Sequence, residues 1–281
     1  MIMKRVTGIL LAAQTAAILS VLVLGQFFCQ SDFAVTSCVS DAAAKRAVKA
    51  AGFDMPVENG RSVEDMVMQI AYQLARRSVV KVTVKDAAGS GIVWKADDGI
   101  VIVSNRHLLS RDVSAEVTFG NQETVTAAIM GYSQQYDIGF ARIPEQSVTA
   151  GILRDIYEAV PVLYDSESED AKKAFGQDYA GKRVLQVGAA PDKETASFSS
   201  GSIKGLSFIP LFNTNVLETA CFSKAGMSGG GVFDECGRFL GMISGGDVPE
   251  NAQKREAELT YSIPPVLIQM EYEKILEDTA D

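Results

Sequence analysis

Residues 224–234 read KAGMSGGGVFD, where four glycines surround the single serine Ser228 and an apolar run follows. Gly226 can adopt a backbone conformation that aims its own N–H and that of Ser228 at one point. N–H groups placed in this way stabilise the oxyanion that forms when a serine hydroxyl attacks a carbonyl. The stretch therefore predicts a nucleophile, Ser228, beside an oxyanion hole formed by the backbone of Gly226 and Ser228. The alternative is a glycine-rich hairpin turn that contains a serine.

A nucleophilic serine needs a base, and the only histidine of the chain is His107, in the segment IVIVSNRHLLS. Ser104 and Asn105 end the preceding apolar run, so the imidazole is expected where a strand turns into a short helix or loop. Asp137, which opens the apolar run of QYDIGFARI, is the predicted carboxylate that orients the imidazole. The alternatives are a structural histidine and a turn aspartate.

From residue 78 onward the sequence consists of short segments rich in Val, Ile, Thr and Phe, bounded by Gly, Asp, Asn or Pro. This pattern is typical of an all-β barrel or sandwich. Helical spacing of apolar residues predicts one helix in residues 62–77 and another in residues 266–278. We interpret the acidic stretch 164–178 as a solvated surface loop.

The chain from about residue 78 to 277 resembles the trypsin-like serine proteases, and within them the HtrA/Deg branch. The segment GSGIVWKADDGIVIVSNRHLL is similar to that family's paired strands ending in Thr-Asn-x-His-Val, with Ser104 replacing Thr and Leu108 replacing Val. YDIGFARI resembles the Asp-Ile-Ala-Val-Leu-Lys block, with Gly139 replacing Ala. TACFSKAGMSGGGVFD resembles the block that contains Gly-Asn-Ser-Gly-Gly-Pro-Leu.

The resemblance implies an all-β fold of two six-stranded antiparallel β-barrels and a catalytic triad of His107, Asp137 and Ser228. The order His, Asp, Ser along the chain is the one that the chymotrypsin-like double barrel carries. The implied protease domain spans 78–281, and we expect no PDZ domain after it.

This chain departs from the family pattern in three places around the serine. Met227 replaces the usual Asn or Asp, Gly231 replaces the usual Pro, and Ala220 stands where the branch commonly has Asp. The first two changes remove no catalytic group, because the oxyanion donors belong to the main chain.

The segment GMISGG resembles the strand that pairs with an extended substrate, a form of β-augmentation. Ser244 and Gly246 are the predicted backbone contacts, and Gly245 is expected to leave the entrance open where many relatives have a Trp. Phe222 and Leu259 are predicted near the floor of the specificity pocket, with plain core packing as the alternative. We expect small to medium apolar side chains before the scissile bond.

The N-terminus MIMKR carries two positive charges, and residues 6–28 carry none. A run of that length spans the hydrocarbon core as a helix, and Lys4 and Arg5 should remain cytoplasmic. We interpret residues 1–28 as a cytoplasmic start and transmembrane signal anchor, followed by a stalk and amphipathic helix over 29–77. A cleaved signal peptide is the alternative. With an uncleaved anchor, the protein is a single-pass cell-membrane protein with an extracytoplasmic protease domain.

Export would place the four cysteines in a compartment where disulfides persist. Their pairing stays open, since four cysteines allow three connectivities, although the short separation of Cys221 and Cys236 suggests a local bridge. The four are Cys29, Cys38, Cys221 and Cys236.

The 281 residues include 47% hydrophobic residues and have a formal net charge of −9. This charge argues against nucleic acid as a partner. One histidine and no Cys/His cluster at metal-ligand spacing argue against a metal site, and no cofactor is expected. The expected partners are polypeptide substrates and, through residues 6–28, the membrane; a homo-oligomer remains an open alternative.

The sequence thus predicts a membrane-anchored extracytoplasmic serine endopeptidase that hydrolyses exported or misfolded proteins. The alternative is a proteolytically weak or latent trypsin-like binding or chaperone module. Such a module would keep the barrels and have a collapsed oxyanion loop.

Overall fold

The protein is described by a computed structural model over residues 63–189, 197–247 and 256–280. These residues fall into two compact units that divide between Ile70 and Ala71, and both barrels belong to the second unit. The predicted membrane segment 6–28 and the stalk residues 29–62 lie outside the described residues. Within the described ranges, no helix has both the length and the apolar character that a membrane span requires.

The first barrel consists of six strands, β1 (Val79–Val84), β2 (Ala87–Lys95), β3 (Ile100–Ser104), β4 (Ser114–Thr118), β5 (Thr124–Tyr132) and β6 (Gly139–Ile143). They pair in the order β1-β2-β3-β6-β5-β4, all antiparallel, and the pairing of β1 with β4 closes the barrel. Successive side chains of a strand point to opposite faces. Accordingly Val80, Val82 and Val84 of β1 are buried in the barrel core, while Lys81 and Thr83 between them are partly exposed.

The second barrel is built in the same way from β7 (Arg183–Gly188), β8 (Ser197–Ile209), β9 (Thr214–Ala220), β11 (Gly231–Phe233), β12 (Phe239–Asp247) and β14 (Leu259–Ile263). The order is β11-β12-β14-β9-β8-β7, and β11 pairs with β7 to close it. Two short strands, β10 (Ser223–Lys224) and β13 (Glu256–Ala257), form a separate antiparallel pair. The prediction of two six-stranded antiparallel barrels is therefore confirmed.

The described residues also form five α-helices. They are α1 (Val63–Ala75), α2 (Arg106–Leu109), α3 (Ala150–Asp155), α4 (Glu169–Tyr179) and α5 (Pro265–Ala280), with short 3₁₀ helices at Arg76–Ser78 and Glu145–Ser147. The two helices predicted from apolar spacing are present as α1 and α5.

Helix α4 corrects the interpretation of the acidic stretch as a loop. The Ser168 hydroxyl caps this helix by accepting the Ala171 N–H, and the buried Phe175 packs between Tyr164 and Tyr179, with ring centroids 4.5 and 4.6 Å away. The Tyr164 hydroxyl donates to the carbonyl of Leu240 on β12 at 2.7 Å, and burial raises the pKa of Tyr164. The acidic side chains of the helix, Glu169, Asp170 and Asp178, are exposed, whereas Lys172 lies partly buried and donates to Asn215 of the second barrel.

Gly91 of β2 allows a close approach of strands inside the first barrel. A methyl group at this position would lie 2.5 Å from Ile102 Cγ2 and 2.8 Å from Val82 Cγ2. Both distances are far below van der Waals contact, so any larger residue would push β1 and β3 apart. Gly176 of α4 has no atom within 4 Å of the corresponding position.

The first prediction concerns these two glycines. Gly91→Ala should lower the free energy of unfolding by about 1–3 kcal/mol through overpacking. The matched control Gly176→Ala should raise it by about 0.5–1 kcal/mol, because alanine is the better residue inside a helix. Urea unfolding of the full chain, followed by fluorescence of the single, buried Trp94, measures both changes. A Gly91→Ala protein as stable as the unaltered one would contradict the packing described for β2.

Candidate active site

His107 lies on the four-residue helix α2, which begins directly after β3. All five residues of β3 are buried, and Asn105 leads into the helix in an extended conformation. Leu108 and Leu109 are buried in the core of the first barrel, whereas the His107 side chain is 53% exposed. The two leucines therefore fix the helix and leave the imidazole at the surface of the barrel.

Asp137 lies in the turn between β5 and β6, and both of its carboxylate oxygens contact His107. The His107 backbone N–H donates to Oδ1 at 2.9 Å, and Nδ1 of the ring lies 2.8 Å from Oδ2. A carboxylate can only accept, so Nδ1 carries the proton and Nε2 of the neutral ring is left free to act as a base. The structure thus brings together His107 and Asp137 in the geometry of a base and its orienting acid.

Hydrogen bonds within the turn hold Asp137 in place. The Ser133 hydroxyl accepts the N–H groups of Gln135 and Tyr136, at 3.1 and 2.9 Å. The Ser133 N–H donates to the carbonyl of Ile138 at 2.8 Å, and the Ile138 side chain is fully buried. The carboxylate is therefore presented by a turn that is fixed on both sides of residue 137.

Ser228 lies in the second barrel, in the connection between β10 and β11. The Met227 N–H donates to the Lys224 carbonyl at 3.1 Å, which closes a turn over residues 224–227. Gly226, the third residue of this turn, has φ +90°, as the glycine of a type II turn does. Met227 is 2% exposed and packs in the core of the second barrel. The methionine that replaces the usual polar residue is thus an apolar anchor for the serine turn.

The backbone amides around Ser228 divide into bonded and open ones. Gly229 N–H donates to the Ile243 carbonyl at 2.8 Å, and Gly230 N–H donates to the Met227 carbonyl at 2.9 Å. The N–H groups of Gly226 and Ser228 donate to no acceptor within the part of the chain that the structure describes. Two open donors two residues apart are what an oxyanion hole requires.

The structure places Ser228 near His107 without joining them. A methyl group on Gly89 of β2 would lie 2.9 Å from Leu108 Cδ2 and 3.2 Å from the Ser228 carbonyl oxygen, so α2 and the serine turn flank one point of β2. Among the described residues, the Ser228 hydroxyl has no hydrogen-bond partner. Without substrate, catalytic hydrogen bonds are often loose and tighten only in the complex. The triad assignment stays a prediction.

Asn105 connects the two barrels at the site, and sequence reasoning assigned it no role there. Its fully buried side-chain amide donates to the Ser244 hydroxyl at 2.8 Å and to the Asp137 carbonyl at 3.3 Å. The Ser244 side chain therefore faces the first barrel, and only its backbone is available to a substrate. In the sequence, the signal that could have indicated this role was the position of Asn105, a polar residue directly after an apolar segment.

Among the described residues, the predicted substrate strand, Ser244 to Gly246, has a strand partner on one side only. Strand β12 pairs with β11 only as far as Met242, whereas its pairing with β14 continues to Asp247. Addition of an extended peptide to the other side, by β-augmentation, stays a prediction.

The expected open entrance at Gly245 is wrong. A methyl group on Gly245 would lie 2.9 Å from Cζ of Phe212, so this ring, which comes from the β8–β9 hairpin, fills the space. Phe222 is 43% exposed just before β10, and Leu259 opens β14 opposite Asp247. Their pocket role stays a prediction.

The suggested local disulfide is also wrong. Cys221 is a free, buried thiol, and Cys236, which is disulfide-bonded, therefore does not pair with it. Burial raises the pKa of the Cys221 thiol to about 11.

Comparisons with a family model and with curated proteins indicate the same family. Residues 89–242 match the family model of the trypsin-like peptidase domain. A "Serine protease HtrA-like" protein of Staphylococcus epidermidis is 28% identical over 172 residues, covering 56% of this chain and 26% of the relative. A "Serine protease Do-like HtrA" of Lactobacillus helveticus is 26% identical over 164 residues, covering 56% and 35%. The chain thus matches about a third or less of the length of these curated relatives.

Solved structures show the same fold. The "HtrA-type protease AlgW with tripeptide" has a TM-score of 0.60 at 16% identity, covering 74% of this chain and 63% of that one. The serine endoprotease from Yersinia pestis has a TM-score of 0.58 at 20% identity, covering 79% and 69%.

The second prediction concerns Cys221. At pH 8 a thiol with a pKa of about 11 holds on the order of 0.1% thiolate, so iodoacetamide should modify it about 100-fold more slowly in the native chain than in urea. Mass spectrometry of the peptide containing Cys221, after timed alkylation of the full chain, gives both rates. Equal rates in the two conditions would contradict its burial.

Proposed function

Because this chain belongs to the family of trypsin-like peptidase domains, we propose that it is a serine endopeptidase that hydrolyses peptide bonds of exported or misfolded proteins. The observation that carries the proposal is the pairing of His107 with Asp137 across one end of the first barrel, beside the two open amides of the serine turn. These groups supply a base, its orienting acid and an oxyanion hole, which acyl transfer to a serine requires.

In the proposed reaction, Ser228 Oγ attacks the carbonyl carbon of the scissile peptide bond while His107 Nε2 takes the hydroxyl proton. The N–H groups of Gly226 and Ser228 donate to the oxyanion, and Asp137 stabilises the imidazolium through Nδ1–H. His107 then gives the proton to the leaving amine, which breaks the C–N bond and leaves an acyl-enzyme. A water activated by the same imidazole hydrolyses the ester and restores Ser228.

The substrate is proposed to be an unfolded or extended segment of polypeptide. Only an extended backbone can pair with the free edge of β12 along Ser244 to Gly246. The Phe212 ring beside Gly245 is only 7% exposed, so any contact with the substrate would be through its accessible edge. An apolar edge at this point supports a preference for apolar substrate residues.

The latent binding module predicted as the alternative would have a collapsed oxyanion turn. The positive φ of Gly226 and its free N–H within the described residues favour the enzyme over that alternative.

Location at the membrane is part of the proposal and rests on the sequence. The charge-free residues 6–28 would anchor the chain, with the barrels on the extracytoplasmic side. Alkaline carbonate extraction of membranes should leave the full-length protein in the pellet, and deletion of residues 6–28 should release it. Recovery of the full-length protein in the supernatant would contradict the anchor.

The third prediction tests the nucleophile. A fluorophosphonate probe should label the full-length protein, Ser228→Ala should abolish labelling, and Ser200→Ala, which alters an exposed serine of β8, should leave it unchanged. Peptide mapping of the adduct should locate it on Ser228. A folded protein that remains unlabelled, or is labelled on another residue, would refute the proposed activity.

The fourth prediction tests the orienting acid. Asp137→Asn should lower kcat on casein-derived peptides by about 10⁴-fold, because an amide cannot hold both His107 N–H groups and favours the wrong tautomer. Asp98→Asn is the matched control, since that carboxylate is exposed on the β2–β3 turn. A loss of less than about tenfold in Asp137→Asn would remove Asp137 from the proposed triad.

A further inference from the structure

We propose that Ser90 is a positioning residue that holds the serine turn in the form with an open oxyanion hole. This inference rests on the proposed function and adds to it a residue outside the triad. Ser90 belongs to β2 of the first barrel, is completely buried, and lies between Gly89 and Gly91.

Ser90 bonds to both residues whose N–H groups form the predicted hole. Its hydroxyl donates to the Gly226 carbonyl at 2.7 Å, and its backbone N–H donates to the Ser228 carbonyl at 2.8 Å. One residue of the first barrel therefore fixes the peptide planes that follow Gly226 and Ser228 in the second barrel. These planes lie on either side of the Met227–Ser228 peptide, which carries one of the open N–H groups.

The direction of the hydroxyl bond is determined by its neighbours. The Ala189 N–H, at the end of β7, donates to Ser90 Oγ at 2.8 Å. The Gly226 carbonyl can only accept, so the Ser90 proton is directed to it. The Ser90 carbonyl in turn accepts the Ser104 hydroxyl at 2.6 Å, which fixes Ser90 from the first barrel. The buried hydroxyl is thus both acceptor and donor in a chain of hydrogen bonds from the end of β7 to the serine turn.

Apart from the two open N–H groups, three further N–H groups of the turn are bonded. Those of Met227, Gly229 and Gly230 donate to the carbonyls of Lys224, Ile243 and Met227. With the two carbonyls held by Ser90, the backbone has little freedom except at Gly226. A glycine adopts positive or negative φ at low cost. The direction of the Gly226 N–H therefore depends on the hydrogen bonds that fix the adjacent peptide group.

Loss of the Ser90 hydroxyl should therefore impair the transition state more than substrate binding. The Gly226 carbonyl and the Ala189 N–H would each lose a buried partner, and the turn would relax away from the aligned arrangement. The substrate strand is proposed to pair with β12, to which Ser90 makes no hydrogen bond within the described residues, so KM should change little. An interaction that acts only on the oxyanion appears in kcat and in the affinity for tetrahedral adducts.

The test compares Ser90→Ala with Ser262→Ala in the full-length protein. Ser262 is also completely buried, and its hydroxyl has no partner among the described residues, so its loss controls for removing a buried oxygen. The substrate is a fluorogenic peptide taken from a cleavage site mapped in casein, and the inhibitor is a boronic acid of the same sequence. Trp94 fluorescence on urea unfolding checks that each variant is folded.

Ser90→Ala should lower kcat about 10-fold to 100-fold and weaken binding of the boronic acid by a similar factor. Its KM should stay within about twofold of that of the unaltered protein. Ser262→Ala should keep all three quantities within about twofold. Ser90→Cys, which keeps a weak donor of similar size, should give an intermediate kcat, and it carries the test if the alanine variant does not fold.

The inference is overturned if Ser90→Ala, or Ser90→Cys in its place, keeps the original kcat. It is also overturned if KM and kcat worsen together while boronate affinity is unchanged, since that result indicates a general structural role. If the unaltered protein itself cleaves no peptide and binds no boronic acid, it is the proposed function that fails.

Discussion

Hydrogen bonds across the interface of the two barrels are the constraint on which the site depends. The base and its acid belong to the first barrel, whereas the serine and the open amides belong to the second. Two buried residues of the first barrel reach across: Ser90 bonds to the serine turn, and Asn105 bonds to Ser244 of β12. Because Ser90 and Asn105 are themselves fully buried, their side-chain hydrogen bonds are costly to leave unmade, so they fix one relative position of the barrels.

Apolar anchors complement these bonds. Leu108 and Leu109 bury helix α2 in the first core, and Met227 buries the serine turn in the second. The proposed base His107 and the proposed nucleophile Ser228 are thus each adjacent in sequence to a residue that cannot leave its core without exposing apolar surface. The reactive groups are left at the surface on rigid supports, which is the requirement for a preorganised site.

Much of this arrangement could be predicted from the sequence. The short Val- and Ile-rich segments predicted the barrels, and the single histidine left His107 as the only candidate base. The long-range contacts could not be predicted in the same way. In the sequence, Ser90 is a small polar residue in an apolar strand. No sequence pattern indicates its contact with Gly226, which is distant in the chain.

Errors in the sequence interpretation have similar causes. The acidic residues of helix α4 are exposed, and the spacing of Phe175 and Tyr179 was the weaker signal of a packed face. Phe212 fills the space over Gly245 from a hairpin that is separate in sequence. Cys221 is close to Cys236 in the chain, but its burial as a free thiol shows that short sequence separation does not imply pairing.

The most direct test of the central claim is a crystal structure of the protein with a peptide boronic acid bound. The account predicts a covalent bond from boron to Ser228 Oγ, with one boronate oxygen about 2.7–3.1 Å from the N atoms of both Gly226 and Ser228. His107 Nδ1 should remain bonded to Asp137 in that complex. A boronate attached elsewhere, or attached to Ser228 with its oxygen turned away from these amides, would contradict the account.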